Sequence, residues 1–232
     1  MSLAPHEFWQ DIHPPETFPE DPVSGFRDLF PARLPDGRQI ALPIRVLPGD
    51  GSRAVASLIV NQASFAVEDA LADAMTQALR PLGADMVIGV PTLGLPLANA
   101  VARRLGHPRM VALGTSRKFW YDEGLSEPMS SITSPEQVKR LYLDPRMLPL
   151  LRDRRVAVVD DVVSSGASMR AVLSLLSKAG IEPVALGFAM LQTQRWQAVL
   201  QALDPALPGK VHGALRTPLL ARRDDGSWAP AA

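Results

Sequence analysis

Apolar residues along the chain fall into two alternating patterns. Met86-Val87-Ile88-Gly89-Val90, Met110-Val111-Ala112-Leu113, Val156-Ala157-Val158-Val159 and Val184 to Met190 are unbroken runs of strand length. Between them lie helical spacings. Val67, Ala70, Leu71, Ala74, Met75, Ala78 and Leu79 mark one helix, with Ser64 placed to cap it. Leu97 to Leu105 reads as a second helix, stopped by Gly106, and Met169, Val172, Leu173, Leu176 and Ala179 as a third. Strands alternating with helices predict an α/β fold built on a doubly wound, mostly parallel sheet. In such sheets ligands sit beyond the carboxyl ends of the strands.

The flanks follow other rules. Residues 1–22 are rich in Pro, Glu and Asp and read as an arm or ordered coil. Phe26 to Ile59 holds extended segments separated by the turn signals Pro35-Asp36-Gly37 and Pro48-Gly49-Asp50-Gly51, which predict a small antiparallel hairpin or meander. The expected organisation is an arm and antiparallel hood over 1–60, an α/β core over 61–205, and a C-terminal extension over 206–232 that joins the hood or forms a tail. Residues from about 115 to 145 are polar and without convincing periodicity. So long a loop inside a compact domain is often an active-site lid, and a flexible lid is expected here.

Composition narrows the partners. A chain of 232 residues, 47% hydrophobic, can bury a good core in one domain with room for a subdomain. Lysine plus arginine equals aspartate plus glutamate at 24 each, so no global charge draws the protein to nucleic acid or membrane. Cysteine is absent, which excludes disulfides and thiolate metal sites and fits a reducing cytosol. Met1 to Glu7 has neither a basic n-region nor an apolar h-region, and no apolar stretch approaches a membrane span. A cytoplasmic protein is expected. His6, His13, His107 and His212 form no ligand-spaced group.

The chemistry concentrates in Arg155 to Ser168. Four apolar residues end in Asp160 and Asp161; Val162 and Val163 follow, then Ser164-Ser165-Gly166-Ala167-Ser168, and a helix starts at once. Amides at a helix start have no intrahelical partners and carry the positive end of the helix dipole. Small residues let an anion approach them, and three hydroxyls add donors, so a phosphate monoester suits the turn. Carboxylates accept hydrogen bonds from vicinal hydroxyls or hold water on magnesium. A sugar carrying a phosphate and free hydroxyls satisfies both halves. The bland alternative is a strand ending in a solvated acidic pair, with serine as an ordinary N-cap. A second strand–loop–helix start, Gly89 to Ala98, offers the amides of Thr92 to Leu95 and the Thr92 hydroxyl; alone it equally suits a packing glycine. Arg117 and Lys118 open the polar segment, followed by Phe119-Trp120-Tyr121, which fit base stacking, sealing of the site, packing or a dimer contact.

The thirteen positions Val156 to Ser168 resemble the signature of the type I phosphoribosyltransferases, which bind 5-phosphoribosyl-1-pyrophosphate (PRPP). That signature is a hydrophobic strand, two acidic residues, two apolar residues, then a hydroxyl-rich turn containing glycine. The resemblance implies that Ser164, Ser165, Gly166, Ala167 and Ser168 cradle the 5′-phosphate and that Asp160 and Asp161 face the ribose hydroxyls. It implies that Pro91, Thr92, Leu93 and Gly94 form the pyrophosphate loop, with a cis peptide between about Pro91 and Leu93. Gly94 to Ala98 looks most like the orotate branch. Arg117 and Lys118 would reach pyrophosphate from a closing lid. Magnesium would be held mainly by PRPP, through water to Asp160 or Asp161, with no direct protein ligand.

The resemblance further implies a homodimer and a nucleobase acceptor. Ser164 stands where the hypoxanthine–guanine branch carries a third carboxylate, which points to an adenine-like or orotate-like member. Base contacts would come from Phe26 to Val60 and from Leu191-Gln192-Thr193-Gln194-Arg195-Trp196, although the spacing of Trp196 with Val199, Leu200 and Leu203 also fits a core helix. Adenine-type purine salvage is the expected activity. An orotate-type enzyme and a non-catalytic PRPP-binding regulator are the alternatives.

Overall fold

The computed structural model describes residues 3–20, 22–131 and 134–231. Three strands come first: β1 (Leu29–Arg33), β2 (Gln39–Val46) and β3 (Arg53–Ala56). Helix α1 (Phe65–Leu79) leads to β4 (Met86–Gly89), α2 (Gly94–Arg104) and β5 (Val111–Ala112). A hairpin of β6 (Ser126–Ser131) and β7 (Ser134–Tyr142) precedes β8 (Val156–Val163), α3 (Ala167–Lys178), β9 (Pro183–Gln192) and α4 (Arg195–Leu203). Strands β10 (Val211–Thr217), β11 (Leu219–Arg222) and β12 (Trp228–Pro230) follow.

The central sheet has five strands in the order β10-β9-β8-β4-β5, and every pairing in it is parallel. Side chains alternate across it. Ala157 and Val159 of β8 join a core with α1 and α2, while Val156 and Val158 join a core with α3 and α4. Helices on both faces explain why these strands are apolar without alternation. The order jumps from β8 to β4, the kind of switch point where loops diverge and leave a crevice.

The second sheet runs β1-β2-β3-β11-β12, with antiparallel neighbours throughout. It combines strands from the N-terminal and C-terminal parts of the chain into one antiparallel hood sheet. Its Phe30, Ile40, Leu42, Leu220 and Trp228 pack into the same core as α1 and α2. Gln192 at the end of β9 donates to the Ala56 carbonyl at 2.7 Å and ties the two sheets together. The N-terminal arm is packed: Phe8 and Trp9 are buried, and Trp9 Nε1 donates to the Ser57 carbonyl at 2.9 Å.

Three features differ from the sequence reading. Helix α2 begins at Gly94 rather than Leu97, because Pro96 sits in the first turn, where its missing N–H has no intrahelical acceptor to lose. The boundary at 205 cuts a strand from its sheet: β10 pairs with β9, and only β11 and β12 join the hood. Its His212 and Gly213 broke the apolar pattern, yet Gly213 is needed, since a Cβ there would lie 2.4 Å from Leu191 Cγ. The segment 115–145 carries the β6–β7 hairpin, with Leu125, Met129, Leu141 and Leu143 buried beside α3. Pro128 and the serines hid its strand character. Residues 132 and 133 of that stretch lie outside the described ones.

Ser64 caps α1 as predicted, accepting from the Val67 amide at 3.3 Å, and its hydroxyl also donates to the Gln10 carbonyl at 2.7 Å. Ser64→Ala removes both bonds. It should lower stability by about 1 kcal/mol, seen as a reduced urea midpoint with an unchanged slope.

Candidate functional site

Strand register sets the site. Gly89 of β4 lies opposite Val159 of β8, and β4 ends there. Strand β8 continues to Val163, still paired on its other side with β9 through Phe188, Met190 and Leu191. The acidic pair is therefore inside the strand, on the part that outruns β4, and not past the strand's tip. The Val90 amide donates to the Val159 carbonyl at 3.0 Å, holding the chain after β4 against β8. The turn Pro91-Thr92-Leu93 follows, with a cis Pro91–Thr92 peptide, within the predicted interval.

Gly94 then meets Asp160. A Cβ on residue 94 would stand 2.6 Å from Asp160 Oδ1 and 2.8 Å from Asp160 Cα, closer than such atoms approach. Absence of a side chain lets the start of α2 rest on the acidic strand. Sequence reasoning singled out Gly94 but not this contact, which only the pairing of β4 with β8 creates.

Ser164 to Ser168 leave β8 and enter α3. Gly166 has φ +82°, a conformation that favours glycine, and a Cβ there would also lie 3.3 Å from Trp196 Cα. The Ala167 amide donates to Ser165 Oγ at 3.3 Å. Among the described residues, the amides of Ser165, Gly166 and Ser168 have no acceptor, nor have those of Thr92, Leu93 and Gly94. Both turns leave adjacent parallel strands at the same sheet edge. The sequence-predicted Asp160, Asp161, Pro91 to Gly94 and Ser164 to Ser168 are thus brought together.

Two carboxylates side by side in a buried strand titrate abnormally. Asp160 is held well above the usual carboxylate range, first by burial and then by the charge of Asp161. Burial also raises Asp161, opposed by hydrogen bonds to Asp160 and to the Val162 amide. The Asp161 amide donates to Asp160 Oδ1 at 2.9 Å. Among the described residues no three His, Asp or Glu side chains converge as a metal cage. The pair can still accept hydrogen bonds from metal-bound water or from hydroxyls.

Arg117 and Lys118 lie on the exposed stretch after β5. Arg117 Nε is 2.8 Å from Glu123 Oε1, with both side chains more than half exposed. The structure does not join them to the acidic pair. Phe119 is 95% exposed. Trp120 Nε1 donates to Asp144 Oδ2 at 3.3 Å, and the Arg146 guanidinium stacks 4.5 Å from the Trp120 ring. Hydrogen bonds from Arg146 hold Asp144 down at about 2. This anchor of the 117–121 turn escaped sequence reasoning; the Asp144-Pro145-Arg146 turn was its one signal. Trp196 is buried in the core, as its helical spacing allowed.

The model of the phosphoribosyl transferase domain matches residues 60–201, more than half of the chain. The chain belongs to this family. The match covers the acidic strand and both turns but not the hood or β10. The transcriptional regulator GfcR of Halobacterium salinarum is 34% identical over 122 residues, 53% of this chain and 50% of the regulator. An orotate phosphoribosyltransferase of Bordetella petrii is 33% identical over 116 residues, 48% of this chain and 44% of that enzyme. The chain thus spans half or less of the length of these relatives. Among solved structures, adenine phosphoribosyltransferase from Giardia lamblia, complexed with 9-deazaadenine, is similar with a TM-score of 0.54 and 20% identity over 75% of this chain and 93% of that one. The likeness establishes the type I phosphoribosyltransferase fold. No helix among the described residues is long and apolar enough to cross a membrane.

Two substitutions test this phosphoribosyl transferase site. Gly94→Ala drives a methyl group into Asp160 and should destabilise the fold by roughly 1–3 kcal/mol, as overpacking does, measured by chemical denaturation. Asp160→Asn keeps the acceptor for the Asp161 amide but removes the buried charge. A carboxyl whose pKa rises on folding favours the fold below its unfolded value and loses that contribution as pH climbs through the folded value. The variant should therefore melt about 2–4 °C higher at pH 7, the effect of about 1 kcal/mol in a chain of this size. The gain should vanish below pH 4 in a calorimetric pH series.

Proposed function

We propose that the protein transfers the 5-phosphoribosyl group of PRPP to a nucleobase and releases pyrophosphate, with an adenine-like purine as acceptor. The observation that carries this reading is the meeting of Gly94 with Asp160, which puts two amide-bearing turns on either side of an acidic pair. One turn suits a phosphate monoester and the other a pyrophosphate; the carboxylates between them suit ribose hydroxyls. The C1–O bond breaks, its electron pair leaves with pyrophosphate, and positive charge develops on the ribose. Asp160 and Asp161 orient the ring and stabilise that charge. A nitrogen lone pair of the base forms the new bond to C1, and the base loses its proton.

Magnesium, when bound with PRPP, neutralises the pyrophosphate; Asp160 and Asp161 would contact its water. Arg117 and Lys118 assist the leaving group once the exposed stretch after β5 that carries them moves toward the acidic pair and Arg117 gives up its Glu123 contact, and this closure excludes water from the cation. The protein works in the cytoplasm as a homodimer. The hydroxyl of Ser164, where a purine-N7 carboxylate would otherwise stand, supports adenine over hypoxanthine or guanine.

A second reading, a PRPP-responsive regulator without turnover, is supported by the 34% identity to a transcriptional regulator. Incubating the protein with PRPP, magnesium and each of adenine, guanine, hypoxanthine, xanthine, uracil and orotate separates them. Pyrophosphate release with adenine alone is the expected result. Turnover with orotate alone overturns the acceptor, and tight PRPP binding without turnover on any base favours the regulator.

A further inference from the structure

We infer that Arg195 is an additional positioning residue that clamps the 5′-phosphate from the α4 side, an inference that rests on the PRPP-binding reading above. Arg195 is the first residue of α4, and its Nη2 lies 3.5 Å from Ser164 Oγ. It is exposed, and among the described residues it has no acidic partner. The serine turn otherwise offers only neutral donors, so this guanidinium is the charge that can answer a dianion there.

Its placement is built, not incidental. Thr193, two residues earlier, is buried at φ +62°, a left-handed conformation that strains a β-branched residue. Four bonds hold it. Its amide donates to the Thr217 carbonyl at 2.8 Å, and its carbonyl accepts from Trp196 Nε1 at 3.1 Å. Its hydroxyl donates to the Ser164 carbonyl at 3.4 Å and accepts from the Arg195 amide at 3.3 Å. One side chain thus fixes both the serine turn and the start of α4. Gly166 completes the fit: with no Cβ it lets the Trp196 backbone come up against the turn. The tight junction leaves Arg195 facing the Ser164 hydroxyl. Sequence reasoning grouped Arg195 with base contacts; in the structure its guanidinium faces Ser164 of the proposed phosphate turn.

The test is calorimetric titration of PRPP and of pyrophosphate, each with magnesium, into the protein and its Arg195→Gln and Arg195→Lys variants. Arg195→Gln should weaken PRPP about tenfold, the size of one partly exposed charged hydrogen bond, while pyrophosphate binding stays unchanged. Arg195→Lys should recover most of the loss. Unchanged PRPP affinity in Arg195→Gln overturns the assignment, as does equal weakening of PRPP and pyrophosphate. Failure of the unsubstituted protein to bind PRPP rejects the underlying reading, and this clamp with it.

Discussion

Residue 94 has no side chain, and the site depends on that. The start of α2 rests directly on Asp160, at a distance where any Cβ would collide with carboxylate and backbone. The parallel register of β4 with β8 forces this meeting, since the two strands pair only as far as Gly89 and Val159. Beyond that point β8 runs on with one neighbour, and the vacated edge is taken by the turn after β4. The two amide-bearing turns are therefore neighbours by construction, not by loop conformation.

The same arrangement carries a cost. Two adjacent carboxylates in a buried strand repel one another and lose hydration, which is why Asp160 resists ionisation. A core built for stability alone would place apolar residues there. In the proposed reaction, a ligand presenting hydroxyls, magnesium-bound water or developing positive charge would relieve the penalty, so that binding would draw on a state that folding leaves unfavourable. The supporting frame is correspondingly stiff: two cores flank the sheet, and the strained Thr193 is pinned by four hydrogen bonds.

Much of this was legible in the sequence because it is local. Apolar runs and helical spacings mark β4, β8, β9, α1 and α3, since burial on both sheet faces leaves no alternation to confuse them. The run from Val156 to Ser168 announces strand, acidic pair, serine turn and helix start in consecutive residues. What escaped is non-local or masked. Strand β10 is broken by His212 and Gly213, whose suitability appears only against Leu191. The β6–β7 hairpin is polar in composition and gains its apolar contacts from α3, far along the chain. Contacts of Gly94 with Asp160 and of Arg195 with Ser164 join segments that sequence spacing cannot bring together.

The central claim is that one ligand bridges the two turns. Amide hydrogen exchange, resolved by residue, tests it most directly. PRPP with magnesium should slow exchange at Ser165 to Ser168 and at Thr92 to Leu95 together, ribose 5-phosphate should protect the first set alone, and pyrophosphate the second alone. Protection of neither turn by PRPP, or of both turns by pyrophosphate alone, would contradict it.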